Sequence, residues 1–180
     1  MANLCNNFIQ ISGDGVSKIK EVLEANPSGR MFRALDKDYQ GGDVVANVKR
    51  WGCKWDVLID LDGMFMEDDY ISMNIQTPWE PCNGFLRVLH EQYGVNVDNK
   101  YSESGNDYMG IFSIDSKGEK DVRYPFLEGL YHFDYESFLF EVEKGLDYAD
   151  EVLTLDEWLS QFTYVTADDL DELKELYESI

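Results

Sequence analysis

Trp51-Gly52-Cys53-Lys54-Trp55-Asp56 and Thr77-Pro78-Trp79-Glu80-Pro81-Cys82 bracket the stretch whose reading decides the fold, and they hold three of the four tryptophans. Between them lie Val57-Leu58-Ile59-Asp60-Leu61, a turn-like Asp62-Gly63, and Tyr70-Ile71-Ser72-Met73-Asn74-Ile75-Gln76. The last run alternates apolar and polar, the period of a half-buried strand. The first is more uniformly apolar, as expected of a strand nearer the middle of a sheet, so the pair reads as a β-hairpin. Pro78 and Pro81 end the second strand, because proline removes a ladder donor and restricts its predecessor. Pro81 also suits the first turn of a helix running through Leu86, Leu89 and Tyr93. Large aromatic area at both ends of the hairpin has two readings: it pins a helix to the sheet, or it lines a stacking pocket.

Outward from the hairpin the pattern continues. Leu4 to Ser12 reads as a strand with Cys5, Asn7, Ile9 and Ile11 on one face and Phe8 on the other. Gly13-Asp14-Gly15 is a turn, and Val16, Ile19, Val22 and Leu23 mark a short amphipathic helix ended by Asn26-Pro27-Ser28-Gly29. That glycine turn lacks both the Gly-x-Gly-x-x-Gly spacing and the lysine of phosphate-binding loops. Residues 30–50 are weakly patterned; Gly41-Gly42 is a loop, and Asp43 to Arg50 suits a short helix or an extended arm. The helix after Pro81 ends near Gly94. Val95 to Glu103 and Tyr108 to Ile114 form a second hairpin around Ser104-Gly105-Asn106-Asp107. The order strand, helix, strand, strand, helix, strand, strand matches a split βαβ, ferredoxin-like antiparallel sheet with two helices and an extra edge strand.

Asn3-Leu4-Cys5-Asn6-Asn7, Trp51-Gly52-Cys53-Lys54-Trp55-Asp56 and Thr77-Pro78-Trp79-Glu80-Pro81, in that order, resemble the YubB-like family of phage and plasmid proteins with a ferredoxin-like domain. The resemblance covers residues 1–115. The chain departs from the family pattern at Leu4, where a tryptophan is usual, at Cys53, where a threonine is common, and at Cys82, where similar proteins vary. The family name describes topology and implies no iron–sulfur cluster. The resemblance implies the fold and a mobile-element origin, and brings no activity with it.

Charge separates the chain into two parts. Its 15 Lys+Arg and 36 Asp+Glu give a net −21. Residues 1–118 carry 11 basic and 18 acidic side chains (−7), residues 119–180 carry 4 and 18 (−14). A ferredoxin-like domain at 1–118 and an acidic helical extension at 119–180 are therefore expected, an α+β protein. Such a charge opposes contact with nucleic acid or anionic lipid and favours a basic protein surface. No apolar run approaches the roughly 20 residues of a membrane span. With no signal-peptide pattern at the start and three cysteines lacking a Cys-x-x-Cys pair, a reduced, cytoplasmic protein of a bacterial host cell is expected.

In the extension, Tyr124-Pro125-Phe126 and Tyr131-His132-Phe133 read as an aromatic connector leading into a helix through Tyr135, Phe138, Val142 and Leu146. Thr154-Leu155-Asp156-Glu157 is a capping box, and Thr166 caps a last helix whose acidic first turn suits the helix dipole. Leu170, Leu173, Leu176 and Tyr177 form that helix's apolar side. Asp168, Asp171, Glu172, Glu175 and Glu178 lie opposite at steps of three and four. Carboxylates so spaced have Cβ atoms roughly 5–6 Å apart, a density comparable with B-DNA, which presents a phosphate about every 3.4 Å of axis on each strand. Such a face is a nucleic-acid mimic able to fill a basic groove, or it is a solvated face that aids solubility.

Other chemistry has thinner support. His90 and His132 stand at no zinc spacing. Asp60-x-Asp62-Gly63 resembles part of a calcium loop but lacks the later ligands, and Glu67-Asp68-Asp69 reads as a solvated hairpin tip. Cys5, Cys53 and Cys82 lie at ends of the expected sheet with no histidine placed as a base. No cofactor or metal is expected. The preferred reading is a non-catalytic accessory protein that binds a basic host-protein surface through Asp168, Asp171, Glu172, Glu175 and Glu178, inhibiting a nucleic-acid-handling defence enzyme. Beside it stand a small-ligand module using Trp51, Trp55 and Trp79, and an uncharacterised enzyme using carboxylates.

Overall fold

The structure, a computed structural model, describes residues 3–147 and 154–179. It is α+β, with a six-stranded antiparallel sheet and, among the described residues, eight α-helices. Two compact units divide after Arg123.

In the first unit the central strand is β1 (Leu4–Ser12), where Cys5, Asn7, Ile9 and Ile11 are buried and Asn6 and Phe8 exposed. β3 (Tyr70–Pro78) and β4 (Asn96–Glu103) flank it, both antiparallel, with Asn7 opposite Ile75 on one side and Tyr101 on the other. β2 (Met64–Met66) lies outside β3, and β5 (Tyr108–Asp115) and β6 (Gly118–Tyr124) lie beyond β4, giving the order β2-β3-β1-β4-β5-β6. The buried face packs on α1 (Val16–Ala25) through Val16, Ile19 and Leu23, and on α4 (Asn83–Tyr93) through Phe85, Leu86 and Leu89. Burying such apolar side chains contributes roughly 1.5–3 kcal/mol each. Gly94, at φ 69°, ends α4 in the left-handed region that glycine enters without strain.

Several expectations are corrected. Val57–Leu61 is not a strand. Its backbone serves the neighbouring segment, with Met31 N–H donating to Val57 O (2.9 Å) and Ile59 N–H to Gly29 O (3.1 Å), and Leu58 is 61% exposed. The true hairpin partner of β3 is the short β2, and the turn is Glu67–Asp69 rather than Asp62-Gly63. Residues 30–51 add two helices to the expected two, α2 (Met31–Leu35) and α3 (Val44–Trp51). Asp43 caps α3 by accepting from Ala46 N–H (3.0 Å), and Asp56 accepts from Phe32 and Arg33 N–H (2.7 and 3.0 Å) at the start of α2. Pro81 precedes α4 and its cap residue Cys82 instead of entering the first turn. β6 was not expected as a strand; it carries the first unit past residue 118.

The second unit comprises α5 (Phe126–Phe133), α6 (Tyr135–Asp147), α7 (Leu155–Leu159) and α8 (Ala167–Ser179). The stretch expected as an aromatic connector is helical in α5. Phe138, Val142, Trp158, Phe162 and Leu173 are buried, and edge-on aromatic pairs such as Phe138–Phe162 (6.0 Å) and Trp158–Phe162 (5.1 Å) join α6, α7 and the loop beyond. The capping box of Thr154 and Glu157 is formed in both directions. Leu146 lies outside the described side chains. No helix among the described residues is long and apolar enough to cross a membrane.

Candidate functional site

The three sequence motifs of the first unit converge at one end of the sheet. Asn7, on the buried face of β1, donates through Nδ2 to Thr77 Oγ1 (2.9 Å) and Cys5 O (3.1 Å), while its Oδ1 accepts from Asn99 Nδ2 (3.1 Å) and Cys82 N–H (3.3 Å). Asn99 also donates to Asn83 Oδ1, and Asn83 donates to Asp121 (3.1 Å), which accepts from Tyr101 OH (2.7 Å). This polar chain ties β1, β3, β4 and β6 to the start of α4. Gly52, at φ 86°, closes α3, and a Cβ on Gly84 would lie 2.6 Å from Arg50 O, so α3 and α4 meet backbone to backbone.

The three tryptophans differ in burial. Trp51 is fully buried; it lies edge-on to Phe32 (5.4 Å), and its Nε1–H donates to Asp36 (2.9 Å), which also pairs with Arg50. Burial opposes the charge of Asp36, but the bonds from Arg50 and Trp51 prevail and hold its carboxyl below the usual range. Trp55 and Trp79 are 47% and 46% exposed. Trp51 therefore has the core role, and Trp79 lines a cleft.

That cleft, about 450 Å³, lies between the end of α3 and the turn after β3, and its lining includes Val48, Lys54, Pro78, Trp79, Glu80, Tyr108 and Arg123. Lys54 Nζ sits 3.2 Å from the centroid of the Trp79 ring. Trp79 adopts φ 71°, the left-handed region, which costs a bulky residue about 1–2 kcal/mol. Its N–H donates to Asn3 O (3.0 Å) and its carbonyl accepts from Tyr108 OH (2.6 Å), which hold it there. Arg123 pairs with Glu80 (2.8 Å) and covers the Tyr108 ring at 4.3 Å. Desolvation opposes the Arg123 charge, but Glu80 and Tyr101 outweigh it and keep the guanidinium protonated. A larger cleft, about 560 Å³, runs along β3 past Leu58, Asp60 and Met64. Asp60 is its one charged lining residue, so the convergence of cations and aromatic rings favours the Trp79 cleft.

Burial pushes the Cys5 thiol up to about 11 and Cys53 to about 12, and Cys82 is also raised, so all three buried thiols are protonated at neutral pH and poor nucleophiles. His90 Nδ1 bonds Val95 O (2.7 Å) and His132 lies 3.9 Å from Glu128. Among the described residues no cluster of three or more His, Cys, Asp or Glu side chains is placed to hold a metal ion.

On α8, Asp168, Asp171, Glu172, Glu175 and Glu178 are all exposed and Leu173 is buried beneath them. Asp171 pairs with Lys174 (2.6 Å) and Glu172 accepts from Tyr135 OH (2.8 Å). Asp168, Glu175 and Glu178 make no side-chain hydrogen bond or ion pair among the described residues. Asp169 is turned inward: it accepts from Thr166 Oγ1 (2.6 Å) and Tyr131 OH (2.8 Å), which lower its pKa.

Lys54 and Trp79 stand in the quoted motifs, but Arg123 and Tyr108 escaped the sequence reading. On β6, Glu119, Asp121 and Arg123 point one way at period two, toward Arg87, Tyr101 and Glu80. Their charge hides the alternation that apolar residues would display. Compared with protein-family models, curated proteins and solved structures, the chain has no match.

Proposed function

We propose that this protein is a non-catalytic binding protein whose acidic α8 face engages a basic surface of another protein. The exposed, largely unpartnered row Asp168, Asp171, Glu172, Glu175 and Glu178 carries the reading. Residues 124–180 hold 16 acidic side chains against two lysines, so little in that unit neutralises the row. Its i, i+3, i+4, i+7 spacing approximates a line of phosphates, which suits a groove built to hold nucleic acid. The target class is a nucleic-acid-handling defence enzyme of a bacterial host, and occupation of its groove is the inhibitory act.

The fold reading that accompanies this function is ferredoxin-like. The order β2-β3-β1-β4, with α1 and α4 in the two crossovers, supports it, and β5 and β6 extend the sheet at one edge. The motif resemblance to the YubB-like family supports a phage or plasmid origin, and with it a place in the host cytoplasm.

The test is capture from a bacterial lysate with two baits, the native chain and the chain carrying D168N, D171N, E172Q, E175Q and E178Q. The native bait alone is expected to retain a basic, nucleic-acid-handling protein, released as salt rises, since exposed charges are screened beyond about 8–10 Å at physiological ionic strength. Equal retention by both baits would remove α8 as the working surface.

A further inference from the structure

We infer that the cleft beside Trp79 is a binding site for a small organic anion, a carboxylate or phosphate carried on an apolar, planar body. The first observation is local charge. In a chain of net −21, the charged side chains lining this cleft are Lys54, Arg123 and Glu80, a local balance of +1. Lys54 has its Nζ against the Trp79 ring and no carboxylate partner among the described residues. A desolvated ammonium over an indole face is favourable, yet it leaves N–H donors turned to the cleft. Glu80 and Tyr101 engage only part of the five-donor guanidinium of Arg123. Two cations with spare donors flanking one opening is the arrangement that receives an anion by charge-assisted hydrogen bonds.

The second observation is the wall. Val48 is 43% exposed and stands with Pro78 and Trp79 on the apolar side, which accommodates the body of the ligand while its charge meets the cations. The third is the backbone of Trp79. Glycine would occupy φ 71° without strain, yet the position holds the largest side chain, half-exposed at the cleft and locked by Asn3 and Tyr108. Strain retained at a half-exposed aromatic residue is characteristic of a binding position.

The test follows the indole N–H resonance of Trp79 in the full chain, assigned with Trp79→Phe, during titration with indole-3-acetate (the carboxylate arm) and adenosine 5′-monophosphate (the phosphate arm). Indole-3-acetamide and adenosine are the neutral controls. At least one anion is expected to shift the resonance saturably, and which one responds identifies the charge class. Lys54→Gln should weaken that binding roughly tenfold or more, the scale of a charge-assisted hydrogen bond. Trp79→Gly, which lacks that resonance and is followed instead by saturation transfer to the ligand's own signals, should abolish it while the unfolding midpoint is kept or raised; if that variant does not fold, Lys54→Gln, at a part-buried side chain, decides. The inference is overturned if neither anion moves the resonance up to about 10 mM, if the neutral analogues bind as well as the anions, or if Lys54→Gln binds with unchanged affinity.

Discussion

Trp79 holds φ 71° and Trp51 is sealed in the core, so two residues of one type, both prominent in the sequence, respond to substitution in opposite ways. Trp51→Ala removes a fully buried aromatic side chain and should cost about 3–5 kcal/mol in denaturant unfolding. Trp55→Ala, half-exposed, should cost about 1 kcal/mol or less. Trp79→Gly exchanges partial contacts for relief of about 1–2 kcal/mol of backbone strain and should be near neutral. Asn7→Ala would leave the Cys82 N–H unpaired and take one bond each from Thr77 and Asn99, which keep Glu80 O and Asn83 as partners. Its cost should be about 1–3 kcal/mol, that of one buried polar group left unpaired. Asp36 supplies a pH signature. Folding lowers its pKa, so the stability it contributes is complete above the unfolded value of about 4 and fades as pH falls through the folded value. Asp36→Asn should therefore cost about 1.5–3 kcal/mol at neutral pH, the scale of hydrogen bonds to a charged group, and the difference from the native chain should shrink on acidification below about pH 4. A gap that stays constant to pH 2 would deny the Asp36–Arg50 pair that role.

At the scale of elements, the meeting of α3 and α4 through Gly52 and Gly84 is the least forgiving contact. Gly84→Ala would drive a methyl into Arg50 O and Trp51 C and should lower the unfolding midpoint by several degrees, a shift of the size about 1 kcal/mol gives a domain of this length. The strands β1, β3, β4 and β5 were legible because apolar residues recur on one face and polar ones on the other, as in Cys5, Ile9 and Ile11 against Asn6, Gln10 and Ser12, with Asn7 and Phe8 the exceptions. α1 and α4 were legible from their apolar spacing and glycine ends. Val57–Leu61 was misread because its apolar residues serve a loop whose backbone bonds to residues 29–31, a long-range choice that composition does not encode. α2 was hidden because Asp56, more than 20 residues away in sequence, bonds its first amides. β6 was hidden because Glu119, Asp121 and Arg123, which bond to Arg87, Tyr101 and Glu80, are charged and exposed, and charge on an edge strand also keeps it from pairing with other chains. Of the Trp79 cleft, the motifs pointed to the tryptophans and Lys54, while Arg123 and Tyr108 join only through the sheet.

At the scale of the whole molecule, a net −21 loads the folded state with self-repulsion. Moderate salt should raise the unfolding midpoint of the native chain, and less so that of the chain with the five α8 carboxylates neutralised, because screening acts on exposed charges. The same charge is the means of recognition in the proposed function, and long-range attraction acts mainly on encounter. The most direct measurement is therefore the association rate constant of the purified protein with its captured basic partner across a salt series, for the native chain and for the variant carrying D168N, D171N, E172Q, E175Q and E178Q. The acidic-face account predicts a native rate that falls steeply with salt, and a variant rate that is roughly tenfold or more lower at low salt and nearly flat, within the range that electrostatic steering spans. Identical rates and identical salt slopes for the two proteins would contradict it.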